Sequence, residues 1–162
     1  MLKLQGCPKS GSGQASEHSG EAGEKHKATE VSTDTLLSSE DYEELAKLAS
    51  SHREEFQRYG KLDDIEKAIE CDNKALSLIP YDNSAIAGQL TKLGINYSER
   101  FKRTGDMNDL AKSIEYSSRV VELTPDNHPD LPQHLASLGV DYGDRFRRTG
   151  DMNDLAKSME YS

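Results

Sequence analysis

The feature that most constrains this chain is an internal repeat. Residues 103–117 and 148–162 are identical at 14 of 15 positions at an offset of 45, the exception being Ile114 against Met159. The match runs upstream. Leu93-Gly-Ile-Asn-Tyr97 pairs with Leu138-Gly-Val-Asp-Tyr142, and Glu99-Arg-Phe-Lys-Arg-Thr-Gly105 with Asp144-Arg-Phe-Arg-Arg-Thr-Gly150. One period further back the residues diverge, yet Leu48, Phe56, Gly60, Ala68, Ala75 and Pro80 keep register, Pro80 with Pro125. A unit of this size is one supersecondary piece that cannot hide its apolar faces alone. Stacked copies bury a continuous seam.

Within a unit the pattern is helical. Ser39-Glu-Asp-Tyr42 predicts a helix start, a hydroxyl cap followed by acids in the first turn. Leu45, Leu48, Ala49, His52 and Phe56 then draw one stripe along a helix that Tyr59-Gly60 ends. A second helix is expected from about Leu62 to Ile79 on Ile65, Ala68, Ile69, Ala75, Leu76 and Ile79, with Pro80 stopping it. Thr124-Pro-Asp-Asn-His-Pro-Asp-Leu-Pro132 reads as a turn whose prolines close one helix and open the next. The chain is therefore expected to be all-α, built of antiparallel helix hairpins over 38–82, 83–127 and 128–162. A hydrophobic share of 34 % and no Trp agree with a core shared between stacked units. Residues 1–37 carry no apolar periodicity and are rich in Gly, Ser, Glu and Lys, so they are expected to be a disordered tail. Gly11-Ser-Gly13 reads as linker, since no strand precedes it and no Gly-Lys-Ser/Thr follows.

The order Leu93-Gly94, Tyr97, Ser113, Ser117, Val120 and Pro125, with Ala68, Asp72, Ala75 and Pro80 in the first unit, resembles the tetratricopeptide pattern of Leu-Gly, Tyr, Ala, an aromatic, Ala and Pro. Ser113 and Ser117 replace the Ala and the aromatic, and Asp72 also stands at the aromatic position. The 45-residue period exceeds the family's usual ~34, which predicts longer helices of about 20 residues or roughly 30 Å. With Arg-Phe-x-Arg-Thr-Gly-Asp-x-x-Asp-Leu and Leu-Thr-Pro-Asp-x-His-Pro-Asp-Leu-Pro, the chain looks like the long tetratricopeptide arrays of fungal proteins that often precede a caspase-like CHAT domain. The resemblance covers about residues 38–162. It implies a right-handed superhelical solenoid whose concave face, lined by the first helix of each pair, holds a peptide or partner helix. Thr91, Ile95, Ser98 and Lys102 would form one contact stripe, and Ala136, Val140, Gly143 and Arg147 the next. The family's carboxylate clamp places Asn after Leu-Gly; here Ile95 and Val140 stand there, so the clamp is not expected.

No catalytic, cofactor or metal site is legible. Gly-Asp-Met-Asn-Asp-Leu at 105–110 and 150–155 crowds carboxylates, but it turns straight into a helix without the ~12-residue spread of a Ca²⁺ loop. Asp106 or Asn108 as N-cap, with Asp109 favoured by the helix dipole, accounts for it. Arg100-Phe-Lys-Arg103 and Arg145-Phe-Arg-Arg148 read as cations at helix C-termini. Tyr97 and Tyr142 read as seam residues. Cys7 and Cys71 read as free thiols in a reducing compartment, and the five histidines show no zinc spacing. His128 and His134 are six apart, not on one helix face, and no nucleophile elbow supports a triad.

A net charge of −9 disfavours nucleic acid and anionic membranes as partners. No ~18-residue apolar run or signal peptide is present, so the expected location is the cytoplasm, with the nucleus open. Ser162 aligns with Ser117, in the middle of a second helix, so a longer array is expected beyond it, and its uncovered end would favour self-association. The leading expectation is a non-enzymatic protein–protein interaction scaffold. The alternatives are the recruitment array of a CHAT-type protease whose catalytic domain lies elsewhere, and a kinesin-light-chain-like cargo adaptor, which lacks its coiled-coil heptads here.

Overall fold

The structure, a computed structural model, describes residues 39–80 and 83–162. The expected tail at 1–37 lies outside the described residues. What is described is entirely helical: α1 (Ser39–Tyr59), α2 (Leu62–Leu78), α3 (Asn83–Thr104), α4 (Met107–Leu123), α5 (Leu131–Thr149) and α6 (Met152–Glu160). None of these helices is long and apolar enough to cross a membrane.

Three equivalent turns set the architecture. Gly60, Gly105 and Gly150 have φ of 67°, 75° and 72°, the left-handed region where a β-carbon is strained. Each donates its N–H at 2.7 Å to the carbonyl of Phe56, Phe101 or Phe146, four residues back, and so closes the first helix. The next residue is extended and starts the second helix. Asp106 Oδ1 accepts from the Asn108 N–H and Asp151 Oδ1 from the Asn153 N–H, both at 2.9 Å. Each such cap contributes about 1 kcal/mol. Lys61 holds the same place in the first turn without a side-chain cap. With two-residue links the chain can only double back, and α1 packs on α2, α3 on α4 and α5 on α6.

The first helices have the expected length, at 21, 22 and 19 residues. The second helices α2 and α4 are shorter, at 17 residues each. They are held between the glycine turn and an extended residue, Ile79 or Thr124, that precedes a proline. Pro132 lies in the first turn of α5, where its missing N–H costs nothing.

The apolar core straddles the hairpins. Leu93 of α3 is fully buried in one cluster with Phe56, Ile65, Ala68 and Ile69 of α1 and α2. Leu138 and Tyr142 of α5 join Phe101, Leu110 and Ile114 of α3 and α4 in the next. Each Leu of the Leu-Gly pair thus fills the core of the hairpin before its own. Leu48, its counterpart on α1, has no earlier hairpin among the described residues and is 47 % exposed. That departs from the continuous stripe expected on α1, where Ala46, Ala49 and Phe56 are the buried residues. The Gly of the pair lets backbones approach. A β-carbon on Gly139 would sit 3.2 Å from the carbonyl of Tyr161, and one on Gly94 would sit 3.3 Å from Ser117 Oγ. Ala49 occupies this register in the first hairpin and is buried.

Candidate functional site

Two kinds of polar construction lie between these helices. The first closes each of the last two hairpins from inside. Arg100 on α3 donates from Nε and Nη2 to Oδ2 and Oδ1 of Asp109 on α4, at 2.9 and 2.6 Å. Arg145 and Asp154 repeat the fork at 2.8 and 2.6 Å. Both carboxylates are buried, and the guanidinium also lies over a ring, Tyr97 at 5.3 Å or Tyr142 at 5.1 Å. Those rings stack in turn on Tyr116 and Tyr161, with centroids 5.7 and 6.0 Å apart. The hydrogen bonds from Arg145 hold the Asp154 carboxyl below its ordinary range. Arg100 and Arg145 therefore reach across the hairpin and do not cap their own helices. Asp109, expected as a dipole-favoured acid, is the buried partner of that fork.

The second construction joins one hairpin to the next, around a single buried carboxylate. Between the first and second hairpins it is Asp72 of α2, which accepts from Gln89 Nε2 and Asn96 Nδ2 of α3, both at 2.6 Å. Between the second and third it is Asp141 of α5, with Ser113 Oγ at 2.6 Å, Ser98 Oγ at 3.3 Å and Ser117 Oγ at 3.5 Å. Asp72 and Ser117 share a register position, and so do Asn96 and Asp141. The carboxylate thus comes from opposite sides of the two junctions. Burial raises the pKa of both acids. At Asp141 the geometry agrees. The Ser113 hydroxyl has one proton and faces both Asp141 Oδ2 and the Gly94 carbonyl, at 2.9 Å. One hydroxyl proton cannot serve both acceptors at once.

Above the Asp141 junction runs an open groove of about 290 Å³ between α3 and α5, with Ser113, Ser117 and Val120 of α4 at its floor. Ile95 and Val140 face it, 41 % and 52 % exposed, among the few large apolar side chains left uncovered. Lys102 and Glu99 stand toward one end, Gln133 and His134 toward the other. Lys102 makes no ion pair among the described residues. A similar groove lies between α1 and α3, bordered by Ala46, Ser50, Gln89 and Lys92.

Of the eight residues expected at a contact surface, Thr91, Ile95, Ser98, Lys102 and Val140 line the α3–α5 groove. Thr91 and Ser98 are half-buried, their hydroxyls donating to the Ala87 carbonyl and to Asp141. Ala136 and Arg147 are exposed but lie outside the groove, and Arg147 pairs with Asp144 on its own helix. Gly143 does not face the groove, because a β-carbon there would meet Ser158 Oγ of α6 at 3.0 Å. Gln133, His134 and Ser137 border the groove without having been singled out from sequence. Gln133 and His134 lie just before the repeat-matched stripe of α5 and Ser137 beside it, and no repeat copy marks them.

Comparison with family models, with curated proteins and with solved structures finds no match to the chain.

Proposed function

We propose that this chain is a binding module of the tetratricopeptide type, its hairpins stacked as a right-handed superhelical solenoid, with the α3–α5 groove receiving a peptide or partner helix. The observation that carries the reading is the pair Ile95 and Val140. They lie one repeat apart on adjacent first helices, uncovered, over a floor of small hydroxyls. An apolar side chain seated between them would lose water contact on three sides, worth about 1.5–3 kcal/mol for a Leu- or Phe-sized anchor. Lys102 favours an acidic residue near that anchor. Catalysis gains no support, since the Ser113 hydroxyl is engaged by Asp141 and the Gly94 carbonyl and by no imidazole.

The test is a displayed random-peptide library selected on the full chain, with affinities then measured by titration calorimetry. Selected peptides should share an apolar anchor with a nearby acid. Ile95→Glu or Val140→Glu should weaken binding at least about tenfold, a loss of about 1.4 kcal/mol. Lys112→Ala on α4, away from the groove, should leave it unchanged. Peptides that bind the groove variants as tightly as the wild type would overturn the assignment.

A further inference from the structure

The first hairpin lacks the construction that closes the other two, and its replacements share one chemistry. In the 45-residue register, Tyr97, Arg100 and Asp109, or Tyr142, Arg145 and Asp154, correspond to His52, Glu55 and Asp64. The buried Asp is kept, but the guanidinium that neutralises it is replaced by a second carboxylate, and the ring beneath it by an imidazole. Folding brings these groups together from two helices, with donor atoms of all three within 4.8 Å of one another. His52 Nδ1 lies 3.8 Å from Glu55 Oε2. Among the described residues, one acid there has no side-chain donor, and one imidazole atom is buried without a partner. Asp64 is 8 % exposed and, unlike Asp109 and Asp154, receives no side-chain donor among the described residues. His52 Nδ1 is buried with no hydrogen-bond partner. Two carboxylates around an unpartnered imidazole nitrogen, in a place where the sister hairpins keep a cation, form a site lacking its positive charge.

We propose that the first hairpin binds a divalent cation of the zinc type through His52 Nδ1, Glu55 and Asp64, the ion standing where the guanidinium stands in the other two. A dication with two carboxylates is locally neutral, as Arg with Asp is. An imidazole nitrogen beside only two carboxylates selects zinc and its neighbours over calcium, which takes six to eight oxygens. Bonds of about 2.0–2.2 Å place tetrahedral ligands roughly 3.3–3.6 Å apart. The His52–Glu55 separation is already near that, and Glu55, exposed on α1, has the freedom to close the rest. Three protein ligands leave the fourth position to water. Cys71, which takes the register of Tyr116, lies outside the cluster and is not a ligand. The proposal stands independently of the groove.

The experiment uses the full chain and two metals, Zn²⁺ and Co²⁺. Titration calorimetry with ZnCl₂ should give one equivalent bound, and EDTA should lower the melting temperature of the loaded protein to that of the apo form. Co²⁺ should give the visible bands of a four-coordinate ion without a thiolate charge-transfer band. The double variant His52→Tyr, Glu55→Arg rebuilds the closure of the other hairpins, so it should fold, melt at or above the apo wild type, and lose the high-affinity equivalent. Asp64→Asn should weaken zinc at least tenfold. Absence of binding to wild type in the micromolar range would overturn the proposal. So would equal binding by the double variant, which would place the ion on other histidines, or a thiolate band, which would place it on cysteine.

Discussion

Replacing Arg100 by Met keeps most of the side-chain volume over Tyr97 and removes only the charge and its hydrogen bonds. Two charge-assisted bonds to Asp109 are lost, and a carboxylate whose side chain is 5 % exposed is left with no donor. Breaking a fully buried ion pair from one side costs about 3–5 kcal/mol, mostly as the penalty on the orphaned charge. Arg100 itself is 24 % exposed, so water can follow the missing guanidinium and screen part of that penalty. We therefore expect a loss of roughly 2–3 kcal/mol. For a folded part of this size that lowers the melting midpoint by about 10 °C. The assay is far-ultraviolet circular dichroism on heating at pH 7, with wild type, Arg100→Met, Asp109→Asn and the double variant. The double variant should recover at least half the loss, because no charge is then buried alone. A loss below about 0.5 kcal/mol for Arg100→Met, or a double variant no better than the single, would show that the fork is only a surface pair and refute the reasoning.

Two glycines on first helices should respond with opposite signs. Gly139→Ala drives a β-carbon against the Tyr161 and Ser158 carbonyls and should destabilise by about 1–2 kcal/mol, whereas Gly88→Ala meets nothing within 4 Å and should stabilise by up to about 1 kcal/mol; thermal melts of the two variants decide it. The buried acid Asp141 has a raised folded pKa, so the folded state holds its proton more tightly than the unfolded chain. Wild-type stability should therefore rise as pH falls from above that folded pKa toward the ordinary carboxylate range, and flatten below it. Asp141→Asn, the residue type of Asn96 in the same register, should gain about 1 kcal/mol at pH 7. Chemical denaturation across pH should also show that it lacks this part of the slope.

The helices and their turns were legible because local chemistry dictates them. A Gly that must be left-handed, an Asp that caps and a Pro that stops recur at fixed intervals, and the structure uses each as the interval suggests. The shared seam was legible too, since Leu93 and Leu138 recur with the period. What the sequence did not reveal is which face of a first helix looks at its own partner and which at the next hairpin. Gly143 sits in the contact stripe by spacing alone, yet α6 approaches it too closely for a groove position. Arg100 reads as a terminal cation until α4 is folded back beside it, and only then does Asp109, nine residues on, become its neighbour. His52, Glu55 and Asp64 are invisible for the same reason: metal spacing is sought within one local motif, and here it spans an antiparallel pair.

The alternating position of the carboxylate between hairpins bears on how related copies in one chain avoid mispairing. Were the first copy to dock on the third, Asp72 would confront Asp141, two buried acids without a cation. Were a second copy to dock on another like itself, Ser117 would meet Asn96 and the junction would have no acid to satisfy that amide. The order found in the chain matches donor to acceptor at both junctions, so polar atoms add a discrimination between neighbours to what the shared apolar seam supplies.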